Sequence, residues 1–168
     1  IAKYPEHGTT LDMLLRASDI AMYEAKKYKN SVRVFASSMQ EGYLSRVNVE
    51  QALRKALDKH EFFMVYQPQI DTHGTIYGVE ALVRWNSSEM GLVPPDQFIP
   101  IAEASGIMPR LGQFILSTTL KEMKTLQAEL GITVQTSINI SIKQFMEINF
   151  LENLVQLIDR KSTRLNSS

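Results

Sequence analysis

Two strand-like runs joined by a short polar connection limit the folds that this 168-residue chain can adopt. The runs, residues 62–70 and 76–85, are rich in β-branched and aromatic residues, which favour strands. The connection, residues 71–75, is polar and contains a glycine. A crossover to a parallel strand needs about a dozen residues or more, so the two strands are predicted to form an antiparallel hairpin.

Apolar residues at helical spacing predict helices on either side of this hairpin. They cover residues 11–27, 43–59 and 109–130, a short helix opened by Pro94 and Pro95, and further helical stretches after Ser141 and over residues 150–158. Residues 133–140 are predicted to form a third strand, and residues 32–35 a short one. The third strand has a helix before it and a helix after it. This order of helix, strand and helix predicts an α/β fold with a parallel sheet or barrel.

Charge and composition exclude several classes of protein. Lys plus Arg and Asp plus Glu each total 18, which leaves no net positive charge for general nucleic-acid binding. A chain without cysteine has no disulfide and no cysteine-ligated zinc site. The longest apolar run, residues 62–66, is far shorter than the ~20 residues that cross a bilayer. We expect a cytoplasmic protein with no membrane contact from this segment; a longer parent would be tethered only through regions outside it.

Alternation along the second strand places two charged side chains on one face. The opposite face is apolar and consists of Val79, Ala81, Val83 and Trp85. Glu80, Leu82 and Arg84 share the first face, and the two charges lie roughly 13 Å apart along the strand, which is too far for a relaxed ion pair. Each charge is therefore either solvated at a strand end or paired with its own partner. Such partners are a cation for Glu80 and a phosphate for Arg84.

Amide side chains occur on the first and third strands. The Asn139 amide offers a neutral oxygen ligand for magnesium or manganese, unless the residue is buried and bonded to nearby backbone. On the first strand Gln67 precedes Pro68, which lacks a backbone donor and places this strand at a sheet edge or ends it. Gln67 is either a contact for a base edge or phosphate, or a solvated strand end.

Several motifs, in order along the chain, resemble the EAL domain of cyclic di-GMP phosphodiesterases. They are residues 66–68 (YQP), 80–84 (EALVR), 91–100 (GLVPPDQFIP), 102–107 (AEASGI) and 138–141 (INIS). The resemblance implies a TIM-like (β/α)8 barrel with an antiparallel first strand, of which residues 43–158 would form the N-terminal half. Only part of the barrel is then expected in this chain.

The resemblance also implies a reaction and a set of site residues. The reaction is hydrolysis of one phosphodiester bond of cyclic di-GMP to linear pGpG, with Mg²⁺ or Mn²⁺ as the cofactor. Glu80 and Asn139 match metal ligands, and Arg84 matches a residue that grips a substrate phosphate. Gln67 and Leu82 match substrate contacts. Cyclic di-GMP is therefore the expected partner.

The first residues resemble the end of a different domain, the GGDEF diguanylate cyclase. The matching segments are residues 1–5 (IAKYP) and 16–26 (RASDIAMYEAK). Residues 1–36 would then be the terminal helix and strand of an α+β GGDEF domain, followed by a linker at residues 37–42. Lys26 matches a lysine that contacts a nucleotide phosphate, although the glycine usual after the Ala-Lys pair is missing. Such a tandem parent is compatible with a homodimer.

The chain departs from the EAL pattern in its second half. It contains no adjacent pair of aspartates, and a (β/α)8 barrel needs about 250 residues. No complete set of catalytic residues is therefore expected here, and the fragment itself should be inactive. The alternative is a degenerate EAL domain that binds cyclic di-GMP without hydrolysing it.

The last ten residues, 159–168, have a separate origin in this interpretation. Their sequence, DRKSTRLNSS, matches the in-frame translation of a common sequencing-library adapter. We expect them to be a cloning or assembly artefact and exclude them from the prediction of the fold.

Overall fold

The computed structural model describes residues 1–28, 30–146, 148, 150–152 and 154–156. The chain divides into two compact units, Ile1–Gln51 and Ala52–Ser168. Residues 159–168, for which the sequence predicts an adapter origin, lie outside the described residues, and so does the end of the helix predicted over 150–158. The described residues 150–152 and 154–156 are helical. None of the described helices is long and apolar enough to span a membrane.

The first unit is built on two helices, α1 (Leu11–Lys26) and the start of α2 (Ser37–Ala56). The Thr10 hydroxyl accepts a hydrogen bond from the Met13 backbone N–H at 3.3 Å and so caps α1, as the sequence predicts. The buried side of α1 consists of Ala17, Ile20 and Ala21. The apolar spacing of this helix is therefore a true packing signal.

One local prediction in this unit is wrong, and one helix begins earlier than predicted. Residues 32–35 do not form a strand; the backbone bonds given for them among the described residues go to Ile1, which donates to the Arg33 carbonyl and accepts from the Phe35 N–H. Two bonds to one residue do not make a strand ladder. Residues 37–42 are helical, since α2 begins at Ser37, six residues before the predicted start; that they link two domains stays a prediction. Gly42 is the weakest helix former among them, and one glycine is tolerated within a helix.

The second unit contains one mixed sheet. Its strands are β1 (Phe62–Ile70), β2 (Ile76–Ser87), β3 (Gly91–Val93) and β4 (Gln135–Ile138). β1 and β2 pair antiparallel, which confirms the predicted hairpin, and β4 pairs parallel with β2. Within the described residues β1 pairs with β2 alone, so Pro68 lies on an edge strand as expected.

The short strand β3 is absent from the sequence prediction. It pairs antiparallel with the end of β2, from Trp85↔Val93 to Ser87↔Gly91. Three residues are too few for a period-two pattern to be recognised in a sequence. Gly91 has φ 70°, a left-handed conformation that favours glycine at the start of this return strand.

Two helices cover one face of the sheet. They are α3 (Pro95–Ser105) and α4 (Met108–Leu130), which end at Gly106 and Gly131 in the left-handed conformation. Trp85, Phe98 and Leu111 are fully buried between these layers. After β4, Ser141 caps the short helix α5 (Ile142–Phe145). Helices packed on a sheet that contains a parallel strand pair confirm the α/β fold class.

Candidate active site on the uncovered face of the sheet

The two faces of β2 have different environments. Val79, Ala81, Val83 and Trp85 are all buried on the helix-covered face. Glu80, Leu82 and Arg84 alternate with them on the other face and are half-buried. The sheet thus separates a packed side from a side on which polar groups remain accessible.

Strand register aligns polar residues in a row across this accessible face. Gln67 on β1 lies directly opposite Glu80 on β2, and Glu80 lies opposite Ser137 on β4. The Gln67 side chain is exposed. Because directly opposite residues on neighbouring strands point to the same face, the three polar side chains lie together on it.

Asn139 joins this row from the end of β4. The strand ends at Ile138, two residues earlier than predicted, and the exposed Asn139 donates from Nδ2 to Glu80 Oε1 at 2.7 Å. Asn139 is therefore not a buried residue bonded to nearby backbone, the alternative that the sequence left open. The two predicted metal ligands are in direct contact.

Arg84 and Glu80 have different partners, as their spacing predicts. Arg84 Nη1 donates to the Val83 carbonyl at 2.9 Å, while Glu80 accepts from Asn139. A cavity of about 260 Å³ lies beside Arg84. Its lining includes Leu82, Arg84 and Asn139 together with Ala81, Val83 and Ile115 from the helix-covered side of the sheet, and Glu80 is not among the lining residues. Apolar walls with a guanidinium and an amide form the kind of concave site that binds a small polar ligand.

The donor chemistry of the Glu80–Asn139 pair fits a divalent cation. A carboxylate and an amide both offer oxygen, the ligand atom that Mg²⁺ and Mn²⁺ prefer. In the structure the amide presents its nitrogen to Glu80, so cation binding requires the amide to turn and present its oxygen. Within the described ranges, no group of three or more His, Cys, Asp or Glu side chains comes together. Glu80 and Asn139 are thus residues whose oxygen atoms could hold such a cation.

Lys26, the predicted nucleotide contact, belongs to the first unit, whereas the other predicted residues belong to the second. It is exposed in the last turn of α1. The neighbouring Lys27 pairs with Glu24 at 2.6 Å. The structure thus brings together five of the six predicted residues in one unit, namely Gln67, Glu80, Leu82, Arg84 and Asn139.

Glu61 is an anchor of β2 that the sequence prediction missed. Its side chain is 7% exposed and accepts hydrogen bonds from Trp85 Nε1 at 2.9 Å and Ser88 Oγ at 2.6 Å. Burial alone would raise the pKa of Glu61, but the bonds from Ser88 and Trp85 and the nearby Lys59 lower it below its usual value. A lone glutamate before a strand carries no sequence signal of this role.

The sequence was compared with the profiles of known protein families. The sequence profile of the EAL domain matches residues 50–166. The chain belongs to the EAL domain family. The match includes Gln67, Glu80, Leu82, Arg84 and Asn139.

Similar curated proteins are much longer than this chain. Biofilm architecture maintenance protein MbaA of Vibrio cholerae is 37% identical, over 100% of this chain and 21% of that protein. Cyclic di-GMP phosphodiesterase PdeR of Escherichia coli is 34% identical, over 94% and 24%. Bifunctional diguanylate cyclase/cyclic di-GMP phosphodiesterase MucR of Pseudomonas aeruginosa is 31% identical, over 96% and 24%. The chain spans about a quarter or less of the length of these relatives.

A solved structure shows the same fold. The PaMucR phosphodiesterase in complex with cyclic di-GMP superposes with a TM-score of 0.65 at 28% identity. The likeness covers 68% of this chain and 47% of that one. The sheet and helices described above therefore resemble part of an EAL barrel.

Proposed function

We propose that the full-length protein hydrolyses cyclic di-GMP to linear pGpG in a metal-dependent reaction. The observation that carries the proposal is the contact between Glu80 and Asn139 on the accessible face of the sheet, next to Arg84. EAL relatives support it, because PdeR and MucR are cyclic di-GMP phosphodiesterases by name. The binding of cyclic di-GMP by the PaMucR structure supports the same substrate.

Each residue of the accessible face has a distinct role in this proposal. Glu80 and Asn139 hold Mg²⁺ or Mn²⁺, which when bound activates water and neutralises charge on the phosphoryl oxygens. The Arg84 guanidinium holds a phosphate of the substrate through paired N–H donors. Gln67 and Leu82 contact the substrate. Together these groups orient the scissile phosphodiester before it reacts.

The proposal extends to the rest of the parent protein. Residues 1–36 are the end of a GGDEF domain, with Lys26 near its nucleotide phosphate, and the bifunctional name of MucR supports this tandem order. The parent is cytoplasmic or tethered through other regions, does not bind nucleic acids in general, and can form a homodimer. The 168-residue chain alone should be inactive, because a (β/α)8 barrel needs about 250 residues and the chain matches only the N-terminal half of such a barrel, with part of its ligand set.

The decisive experiment measures hydrolysis by the full-length protein. With cyclic di-GMP and Mn²⁺, chromatography should detect pGpG, and Glu80→Gln should lower kcat by about 10²-fold or more. Glu129→Gln removes an exposed carboxylate of α4 and is the matched control, with unchanged turnover. Calorimetry with cyclic di-GMP separates the alternative: binding without any pGpG would show a receptor and not an enzyme.

The inactivity of the chain itself is tested separately. The 168-residue chain should give no measurable pGpG with Mn²⁺ under conditions in which the full-length protein is active. Clear turnover by the chain would contradict the view that its ligand set is incomplete, and would leave the proposed reaction of the parent intact.

A further inference from the structure

A glycine on α4 leaves a notch that is filled by one side chain from α5. Gly112 is buried in the second turn of the helix. A Cβ atom at this position would overlap Gln144 Nε2 and lie 2.8 Å from Gln144 Cδ. Glycine is costly in a helix interior, so its presence there calls for a packing reason. The close approach of Gln144 is such a reason.

Gln144 uses its other amide atom to start α5. Its side chain is 5% exposed, and its Oε1 accepts from the Ser141 backbone N–H at 3.1 Å. In return the Ser141 hydroxyl accepts from the Gln144 N–H at 3.2 Å. This reciprocal pair is a capping box, which fixes the backbone at the entry to a helix.

The capping box lies two residues after Asn139. Asn139 itself is exposed and donates to Glu80 Oε1 at 2.7 Å. β4 ends at Ile138, so within the described part of the chain residues 139–141 lie beyond the strand pairing with β2. A second contact ties α5 down, since Lys143 Nζ donates to the Glu103 carbonyl at 3.1 Å. Asn139 is thus joined by two residues of chain to the capped and tethered start of α5.

We propose that Gly112 and Gln144 are positioning residues for the Glu80–Asn139 pair. The notch orients the Gln144 amide, the amide fixes Ser141, and Ser141 sets the backbone from which Asn139 reaches Glu80. This inference rests on the proposed function only in treating the pair as a metal site. Substitution of a residue that orients a metal ligand without itself binding the metal commonly weakens metal affinity by about 10- to 100-fold.

The first test is metal affinity in the full-length protein. Gly112→Ala should raise the Mn²⁺ dissociation constant by about tenfold or more, measured by calorimetry. Gly42→Ala is the matched control, because Gly42 also lies in a helix but a Cβ there meets no atom within 4 Å. It should leave the dissociation constant within about twofold. Equal effects of the two substitutions would overturn the proposal.

A double substitution tests whether both residues act through the same contact. Gln144→Ala alone should also weaken Mn²⁺ binding about tenfold. In that background Gly112→Ala should add little, because the atoms that its Cβ would overlap are gone. Losses that multiply in the double variant would show independent effects and overturn the proposed coupling.

Gln144→Met keeps the length of the side chain but removes both amide atoms. It protects the test against a Gly112→Ala variant that does not fold. It should retain a cooperative thermal transition and still weaken Mn²⁺ binding about tenfold. A Gln144→Met variant that folds and binds Mn²⁺ as the unsubstituted protein does would overturn the proposal.

A readout without metal separates this inference from the proposed function. In ¹⁵N-asparagine-labelled full-length protein, the Asn139 side-chain amide should show a shifted, slowly exchanging signal because it donates to Glu80. Gln144→Met should return that signal towards the position of an exposed amide, whereas Gly42→Ala should not. An unchanged Asn139 signal in Gln144→Met would overturn the positioning role. Failure of the unsubstituted protein to bind Mn²⁺ or form pGpG would instead count against the proposed function.

Discussion

The helix-covered face and the accessible face of the sheet show how one strand serves two purposes. On the covered face Phe62 packs against Trp85, with ring centroids 5.7 Å apart, and against Phe98 at the same distance. On the accessible face the neighbouring residues Phe63 and Arg84 lie opposite one another and are partly exposed. One side therefore supplies the packing energy and the other keeps polar groups available for a ligand.

The difference teaches where a substitution should act. A residue that faces the helices contributes through buried area and close packing, so its loss lowers stability. A residue on the accessible face buries less apolar area on folding. Its replacement should therefore change ligand binding or turnover more than stability. Stability and function can then be changed by substitutions one residue apart along the same strand.

The largest expected effect comes from the covered face. Phe62→Ala should destabilise the second unit by about 3–5 kcal/mol, because Phe62 is 6% exposed and sits among three aromatic rings. Urea unfolding followed by the fluorescence of Trp85, the only tryptophan, measures this unit alone. A decrease in the free energy of unfolding below about 1 kcal/mol would contradict the view that only the covered face supplies the packing energy.

Arg84 should show the opposite behaviour on the accessible face. Arg84→Ala in the full-length protein should weaken cyclic di-GMP binding by about 1.5–3 kcal/mol, roughly 10- to 100-fold, through loss of a charged hydrogen-bond donor. Stability should change little. Arg84→Lys keeps the charge without the planar fork and should fall in between. If Arg84→Ala leaves the affinity for cyclic di-GMP unchanged but lowers stability strongly, Arg84 stabilises the fold and does not bind the ligand.

Glu61 tests whether β2 is anchored by a charge. Glu61→Gln should cost about 1–2 kcal/mol near neutral pH, because bonds from Trp85 and Ser88 to a charged acceptor are replaced by weaker ones. Fluorescence-monitored unfolding as a function of pH measures this.

The sign of the pH dependence follows from the lowered pKa of Glu61. Its stabilisation is complete above the ordinary unfolded value of about 4.3 and is lost as the pH falls through the lower folded value. Glu61→Gln should therefore show a flatter loss of stability in that acid range. The same acid dependence in both proteins would show that other carboxyl groups cause it.

The smallest effect is expected for Phe63. Its side chain is 42% exposed on the accessible face, directly beside Phe62 in sequence. Phe63→Thr in the 168-residue chain should change stability by about 0.5 kcal/mol or less, since threonine keeps a high strand propensity. A loss comparable to that of Phe62→Ala would mean that both faces of β1 are packed.

The sequence predicted the hairpin, the main helices and their caps because these depend on local patterns. Apolar spacing located α4 to within one residue of its start, and Gly131 ends it as predicted. The alternation along β2 sorted its residues between the faces correctly. Local signals failed at residues 32–35, where a strand forms only if a neighbouring strand pairs with it, and they placed the start of α2 six residues too late. They failed again at β3, which is too short to carry a pattern.

The sequence by itself determined which residue types lie on the site face of β2, through strict alternation. It also identified the motifs that place the chain in the EAL family. Only the tertiary structure decided that Asn139 reaches Glu80, because β2 and β4 are far apart along the chain and their register sets that distance. The same holds for Gly112 and Gln144. A notch and the side chain that fills it come from separate elements, and their fit exists only once α4 and α5 have packed together.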